Sequence, residues 1–145
     1  MVDEMGKVIV LAYLCEGMDP DEVKRDLARA NPGAVVQTVR AGSVQNGFLA
    51  EMVAAQTLRA EASGGLLAKK PEIDLLLRLA GTTQIARAIV QEGAKKGEPF
   101  LAIVAGHSAL NRPPGFGGVE LPRRALSRRE LAKVEGAALL GAEKP

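Results

Sequence analysis

The segment PEIDLLLRLAGTTQIARAIV, at residues 71–90, decides the fold, because its pattern predicts two short helices with apolar residues on more than one side. Pro71 is a favourable first residue of a helix, and Gly81 suits the left-handed conformation in which helices often end. Thr82 has a hydroxyl group that can cap the second helix. We therefore predict a helix pair in this segment.

The first helix of this pair is apolar on two sides. Leu75 and Leu79 point nearly opposite to its other apolar residues, and Arg78 lies on a narrow polar strip. In the second helix, Ile85 and Ile89 share one face. A helix with two apolar sides needs the core of the chain on one side, and another layer of the chain or another protein on the other. We predict that these four leucine and isoleucine residues contact a partner protein.

The composition is typical of a globular domain. The chain has 145 residues, of which 47% are apolar, and this suffices for one domain with a hydrophobic core. No apolar run reaches the roughly 18 residues that a membrane span requires. The start, MVDEMGK, does not resemble a signal peptide, and the single cysteine excludes an internal disulfide bond. We expect a cytoplasmic protein that contacts no membrane.

Apolar runs predict three strands, at residues 7–14, 34–39 and 100–105. Caps and periodicity predict further helices, at residues 20–30, 46–63 and 128–140. This order predicts a single α/β domain, in which a small mixed sheet packs with an alanine-rich long helix and the helix pair. Residues 1–106 are the main part of this domain, and residues 107–145 are a Pro/Gly link followed by a C-terminal helix of the domain or a tail.

Charges are distributed unevenly, although the net charge is only +2. Arg59, Lys69 and Lys70 flank a glycine turn. In one interpretation these three cations and Arg78 are solvated surface charges. In the other they converge around the helix ends and contact the phosphates of RNA. Aromatic residues make up 3% of the chain, so any RNA binding cannot rest on a broad stacking platform.

A second basic cluster follows the Pro/Gly link, and it consists of Arg123, Arg124, Arg128 and Arg129. Cations at the start of the predicted C-terminal helix oppose the helix dipole, and an anionic neighbour would relieve this conflict. The segment at residues 112–118, RPPGFGG, lacks the lysine and the Ser/Thr of a phosphate-binding loop. It is interpreted as a flexible link.

No residue pattern predicts a catalytic centre. His107 is the only histidine, and no triad or metal-ligand set accompanies it. Cys15 ends a buried strand, where a thiol packs as a small apolar group. Gly42 and Ser43 form a turn before the long helix that could contact a phosphate or be an ordinary turn. We predict no catalytic residue, no metal site and no cofactor.

Between the long helix and the third strand, the chain is similar to a known family. The long helix ends in Leu58-Arg59-Ala60, and Leu77-Arg78-Leu79-Ala80-Gly81 and Gln84-Ile85 follow it. This combination resembles the small, non-catalytic subunit of the KEOPS complex, the family of the p53-related protein kinase binding protein. The resemblance extends over residues 7–105 and does not include the arginine cluster. The alanine, glycine and arginine content suggests an archaeal member.

The resemblance implies a binding protein rather than an enzyme. The KEOPS complex makes the threonylcarbamoyl modification of the adenosine beside the tRNA anticodon. Its small subunit binds the kinase-like ATPase subunit and, in archaea, the 3′ CCA end of tRNA. The resemblance thus implies that the cations and Gln84 contact tRNA, and that the leucine and isoleucine residues contact the kinase-like subunit.

Two other function classes stay open. One is a small α/β enzyme that uses His107 and the Gly42 turn, and ATP consumption by the isolated chain would favour it. The other is a general RNA-binding module, which would bind RNA with or without a CCA end.

Overall fold

The structure is a computed structural model that describes residues 7–142 of the chain. In chain order, its elements are β1 (Ile9–Cys15), α1 (Pro20–Ala30), β2 (Val35–Arg40), α2 (Gly47–Ser63), α3 (Pro71–Ala80), α4 (Ile85–Glu92), β3 (Phe100–Gly106), β4 (Val119–Glu120) and α5 (Arg128–Ala142). The predicted single α/β domain is confirmed. Among residues 7–142, no helix combines the length and apolarity needed to cross a lipid bilayer.

The four strands form one sheet in the order β2-β3-β1-β4, and every neighbouring pair is antiparallel. β1 and β2 run in the same direction, but β3 lies between them, so that Ala105 is opposite both Val10 and Val35. The sheet is therefore antiparallel rather than mixed in its hydrogen bonding. The apolar runs could not predict this, because a buried strand has the same pattern in either arrangement.

Both faces of the sheet are covered, which explains why β3 is buried along its whole length. On one face, Phe100, Ala102 and Val104 pack with Val23 and Leu27 of α1. On the other face, the alternate residues of β3 pack in a cluster with α2, α3 and α5. A strand between two covered faces reads as a continuous apolar run, as predicted.

The α2 helix lies close to the sheet because small residues dominate its buried face. Ala50, Val53 and Ala54 have no exposed surface. The Asn46 side chain caps the start of the helix by accepting a hydrogen bond from a backbone N–H of the first turn. Gly64, with φ of 75°, ends the helix in the left-handed conformation.

The α3 helix lies in the centre of the helical layer. Pro71 begins it and Gly81 ends it, as predicted. Leu75 and Leu77 are 0% exposed, and Leu79 is 2% exposed. The helix contacts α2, α4, α5 and β2, and so the chain itself covers both of its apolar sides.

The segment that was interpreted as a flexible link packs on the sheet instead. The Phe116 ring meets the Tyr13 ring edge-on, with 5.1 Å between the ring centroids. The Arg112 guanidinium lies 5.4 Å above the centre of the Tyr13 ring and donates to the carbonyls of Phe116 and Gly118. The β4 strand, which was not predicted, then pairs with β1. Two residues are too few to give an alternating pattern.

The C-terminal helix shares the hydrophobic core of the sheet. At its start, the backbone N–H of Ser127 donates to the Glu130 carboxylate at 3.0 Å, and the backbone N–H of Glu130 donates to the Ser127 hydroxyl at 3.2 Å. This reciprocal pair is a capping box. Val134 and Ala137 are buried in the cluster that contains α2 and α3.

The Gly118→Ala variant tests the packing of this segment on the sheet. A Cβ atom at Gly118 would overlap the Phe116 ring and lie 3.0 Å from the Tyr13 Cβ. We expect the substitution to displace Phe116 and to lower the free energy of unfolding by roughly 1–3 kcal/mol, measured by urea denaturation. The control is Gly136→Ala on α5, where a Cβ would meet nothing within 4 Å, and it should be neutral or stabilising. Equal stability of the two variants would contradict the packing.

Candidate functional site

Arg78, which was predicted to contact RNA, is buried. Its side chain is 4% exposed, and Nε donates to Asp74 Oδ1 at 2.7 Å. Nη2 donates to Asp74 Oδ2 at 3.3 Å, and Nη1 donates to the carbonyl of Ala137 in α5 at 3.1 Å. The prediction is wrong, because the guanidinium is enclosed by its own chain and cannot reach a phosphate.

The Asp74 carboxylate connects α3 to two other parts of the chain. It accepts from the Thr57 hydroxyl of α2 at 2.6 Å and from the backbone N–H of Leu67 at 2.9 Å. These bonds and the two from Arg78 satisfy a fully buried charge, which would otherwise be costly to desolvate. An acid and an arginine four residues apart on an otherwise apolar helix could have indicated this pair.

Leu75 and Leu79 were predicted to contact a partner protein, and this is wrong for both. They are 0% and 2% exposed, because the second apolar neighbour of α3 is another layer of the same chain. Ile85 and Ile89 differ from them, since they are 46% and 51% exposed. A partner-binding role stays a prediction for these two residues.

The α4 helix exposes an apolar face. Ala88 is fully buried and fixes the helix to the core. At about 100° per residue, Ile85, Ile89 and Val90 follow one another around one exposed side of the helix. Val90 is 72% exposed. We call these three residues the isoleucine face.

The remaining predicted cations are exposed. Arg59, Lys69 and Lys70 form no ion pair with any residue between Lys7 and Ala142. The two lysines immediately precede α3, in the link that Asp74 holds through a backbone N–H. Their position is therefore fixed by the buried network. We call them the lysine pair.

Arg59 does not belong to the same cluster as the lysine pair. Thr57, two residues before it, faces α3 and bonds to Asp74. From Thr57 to Arg59 the helix turns by about 200° about its axis. Arg59 therefore leaves α2 on the side that faces away from α3. The predicted convergence of these cations around one helix end is therefore only partial.

Gln84 lies exposed at the start of α4, between the two helices of the pair. Its side chain makes no capping hydrogen bond. Its backbone N–H donates to the Thr82 hydroxyl at 3.2 Å, so Thr82 supports the turn and does not cap α4 directly. The Gln84 amide group is thus placed at the surface beside the isoleucine face.

Two arginines of the second basic cluster have internal partners. Arg123 forms an ion pair with Glu51, and Arg124 lies 3.8 Å from a Glu130 carboxylate oxygen. Glu130 lies in the first turn of α5. The hydrogen bond that it accepts from the Ser127 backbone N–H is the main reason why its pKa is lowered. This carboxylate supplies the anionic neighbour that the start of the helix needs.

His107 contacts the protein backbone, and Cys15 is buried. His107 Nδ1 lies 2.7 Å from the carbonyl oxygen of Lys7. Between residues 7 and 142, no group of three or more His, Cys, Asp or Glu side chains could hold a metal ion. Burial raises the pKa of the Cys15 thiol to about 11, so that it is protonated at neutral pH.

An ionic cluster that was not predicted joins β2, α4 and α5. Glu92 accepts from Arg40 Nε at 3.1 Å and lies 3.9 Å from Lys133 Nζ. Lys133 also donates to the carbonyl of Ser43 at 2.7 Å, and burial lowers the pKa of its amino group. The sequence allowed the turn at Gly42 and Ser43 to contact a phosphate. In the structure, the Ser43 carbonyl of this turn accepts a hydrogen bond from Lys133 of the same chain. The cluster had no sequence signal, because its members are distant along the chain.

No protein-family model matches the chain, and no curated protein matches its sequence. The geometry provides three candidate binding elements: the isoleucine face, the lysine pair and the Gln84 amide. All three belong to α3 and α4 or to the segments that adjoin them. The first is apolar, the second is cationic and the third is an uncharged polar group.

Substitution of Asp74 tests whether the buried network is structural. Asp74→Ala should lower the free energy of unfolding by about 3–5 kcal/mol, because Arg78 stays buried without its carboxylate. Thr57→Val keeps the side-chain volume and removes one hydrogen bond, so it should cost about 1–3 kcal/mol. Urea denaturation followed by circular dichroism measures both. An Arg78→Glu protein with wild-type stability would contradict the network and return Arg78 to the surface.

Proposed function

We propose that this protein is a non-catalytic subunit of a KEOPS-type complex, which binds the kinase-like ATPase subunit and recruits tRNA through its 3′ CCA end. In this role it supports the threonylcarbamoyladenosine modification of tRNA in the cytoplasm. One observation carries the proposal: α4 exposes an apolar face, and the two lysines immediately before α3 form no ion pair within residues 7–142. These surfaces suit a protein partner and a nucleic acid, respectively.

The two surfaces lie on different segments of the chain. The lysine pair precedes the start of α3, whereas Gln84 and the isoleucine face follow its end. Because α4 packs against α3, the proposal assigns the lysines to the tRNA end and the exposed side of α4 to the kinase-like subunit.

The lysine pair supports the RNA part of the proposal. Lys69 and Lys70 are exposed, and neither is neutralised by a carboxylate of the described chain. Arg59 lies on the other side of α2 and does not add to this pair. Two phosphate contacts give a salt slope of roughly −1.4 for a single strand. The isolated subunit therefore binds weakly, and the other subunits of the complex strengthen the binding through effective concentration.

The isoleucine face supports the protein part. Ile85 and Ile89 are about half exposed, although isoleucine is among the residues most often buried. Covering each completely gains at most about 1.5–3 kcal/mol, so this small patch contributes part of an interface and not all of it. Residues of this kind act as anchors at the centre of protein interfaces when water is excluded around them.

The two alternatives differ from the proposal in measurable ways. An enzyme that uses His107 needs a partner for proton transfer, and within residues 7–142 the only hydrogen-bond contact of its ring is the backbone carbonyl of Lys7. A general RNA-binding module would bind tRNA equally well after its CCA end has been removed. The proposed subunit would not.

The first test changes the lysine pair. The double variant Lys69→Glu/Lys70→Glu should weaken binding to intact tRNA by roughly tenfold or more, because two phosphate contacts are replaced by repulsion. Its matched control is Lys95→Glu/Lys96→Glu, another pair of adjacent exposed lysines, in the turn before β3. Fluorescence anisotropy with labelled tRNA, at several salt concentrations, measures the affinity and the salt slope.

This test also includes tRNA without its CCA end. We expect the trimmed tRNA to bind the wild-type protein as weakly as intact tRNA binds the lysine-pair variant. Equal binding of trimmed and intact tRNA would overturn recruitment through the 3′ end. Equal loss in both lysine variants would indicate a general charge effect and would overturn the assignment to the lysine pair.

The second test changes the isoleucine face. Ile85→Arg should abolish co-elution with the kinase-like subunit, because an unpaired charge in a dry interface costs several kcal/mol, roughly 2–5. The protein should remain folded, since the residue is 46% exposed. Val119→Arg, at an apolar position of β4 that is 66% exposed, is the matched control and should leave the complex intact. Unchanged co-elution of a folded Ile85→Arg protein would exclude this face.

A further inference from the structure

A groove runs along the side of the molecule that carries α1. Three adjoining cavities form it, with volumes of about 680, 430 and 390 Å³. The first and second cavities share Met18 and Asp19. The second and third share Asp26, Pro113 and Pro114. The three cavities thus form one continuous surface between the end of β1, the turn before β3, α1 and the segment that packs on Tyr13.

The floor of this groove is apolar and held in place by the fold. Met18 and Phe116 pack against the core cluster on the α1 side of the sheet. Phe116 is fixed by its edge-on contact with Tyr13. Pro113 and Pro114 extend the apolar lining toward α1. A ligand that binds here therefore meets apolar side chains that are already in place, so little conformational entropy is lost in ordering them.

The rim of the groove is acidic, although the whole chain carries a net charge of +2. Two cations line the three cavities, Lys96 and Arg29. Five carboxylates line them, those of Glu16, Asp19, Glu22, Asp26 and Glu98. The only ion pair among these groups within residues 7–142 joins Asp26 and Arg29 at 4.0 Å, and it is largely exposed and hence weak.

We propose that this acidic groove binds an extended peptide segment of a partner protein, in which lysine or arginine alternates with proline or leucine. The apolar side chains of such a segment would lie on Met18, Phe116 and the prolines. Its cations would pair with the carboxylates of the rim, which line the first and second cavities. Proline-rich segments are already extended and so lose little entropy when they bind to a groove lined by aromatic and apolar residues.

The same charges disfavour the other occupants. An RNA phosphate would be repelled by the carboxylates, so the groove is not an extension of the proposed tRNA contacts. A second copy that met this groove through two-fold symmetry would place acidic rim against acidic rim. The groove also lies on the opposite side of the sheet from α3 and α4, and its function is independent of the function proposed for them.

Binding of synthetic peptides to the full chain tests the proposal. The probe is a fluorescein-labelled peptide of four lysine-leucine-proline repeats, measured by anisotropy. One control peptide has glutamate in place of lysine, and another has lysine-serine-glycine repeats. We expect the probe to bind with an affinity that falls as salt rises, the acidic peptide not to bind, and the peptide without apolar residues to bind roughly tenfold more weakly.

Two charge variants locate the binding. Glu16→Lys/Glu98→Lys should weaken probe binding by roughly tenfold, since attraction becomes repulsion. Glu61→Lys/Glu135→Lys makes the same net charge change at exposed positions on α2 and α5 and should have no such effect. Equal effects of the two variants, or equal affinity for the three peptides, would overturn the proposal. So would a dimer in light scattering that the groove variant dissociates, because the groove would then be an interface between copies of the chain.

Discussion

The buried ion pair between Asp74 and Arg78 is the interaction on which the helical side of this fold depends. Its oxygens and nitrogens also bond to Thr57 in α2, to Leu67 in the link before α3 and to Ala137 in α5. Four segments, of which only α5 is distant along the chain, thus meet at one pair of charges. Because the interior offers no water, each hydrogen bond replaces one that the unfolded chain would make with solvent, and losing one partner leaves the other charge uncompensated.

The surfaces proposed to bind ligands follow from this arrangement. The ion pair holds α3 in the centre, where Leu75 and Leu79 are covered, and α4 is left at the edge with Ala88 as its buried contact. The isoleucine face is exposed for that reason. The same network anchors the link that carries the lysine pair. Arg78, which was expected to bind RNA directly, is therefore buried instead. Its role in the structure is to position the residues that remain exposed.

The sheet separates two surfaces of different chemistry. The helix pair on one side presents apolar residues and unpaired lysines, whereas the acidic groove lies on the side of α1. A net charge of +2 does not indicate this local difference, in which five carboxylates and two cations line the groove. The surfaces proposed to bind a nucleic acid and protein segments thus lie on different sides of one small domain.

The sequence by itself determined the features that depend on neighbouring residues. Pro71 and Gly81 set the limits of α3, Ser127 began α5, and apolar runs located three strands, because caps, turns and periodicity act within a few residues. Only the tertiary structure decided that Arg78 is buried, that β3 lies between β1 and β2, and that the Phe116 segment packs on the sheet. Periodicity assigns a side chain to a face of a helix or strand. What covers that face depends on residues far away in the chain, and no local pattern contains them.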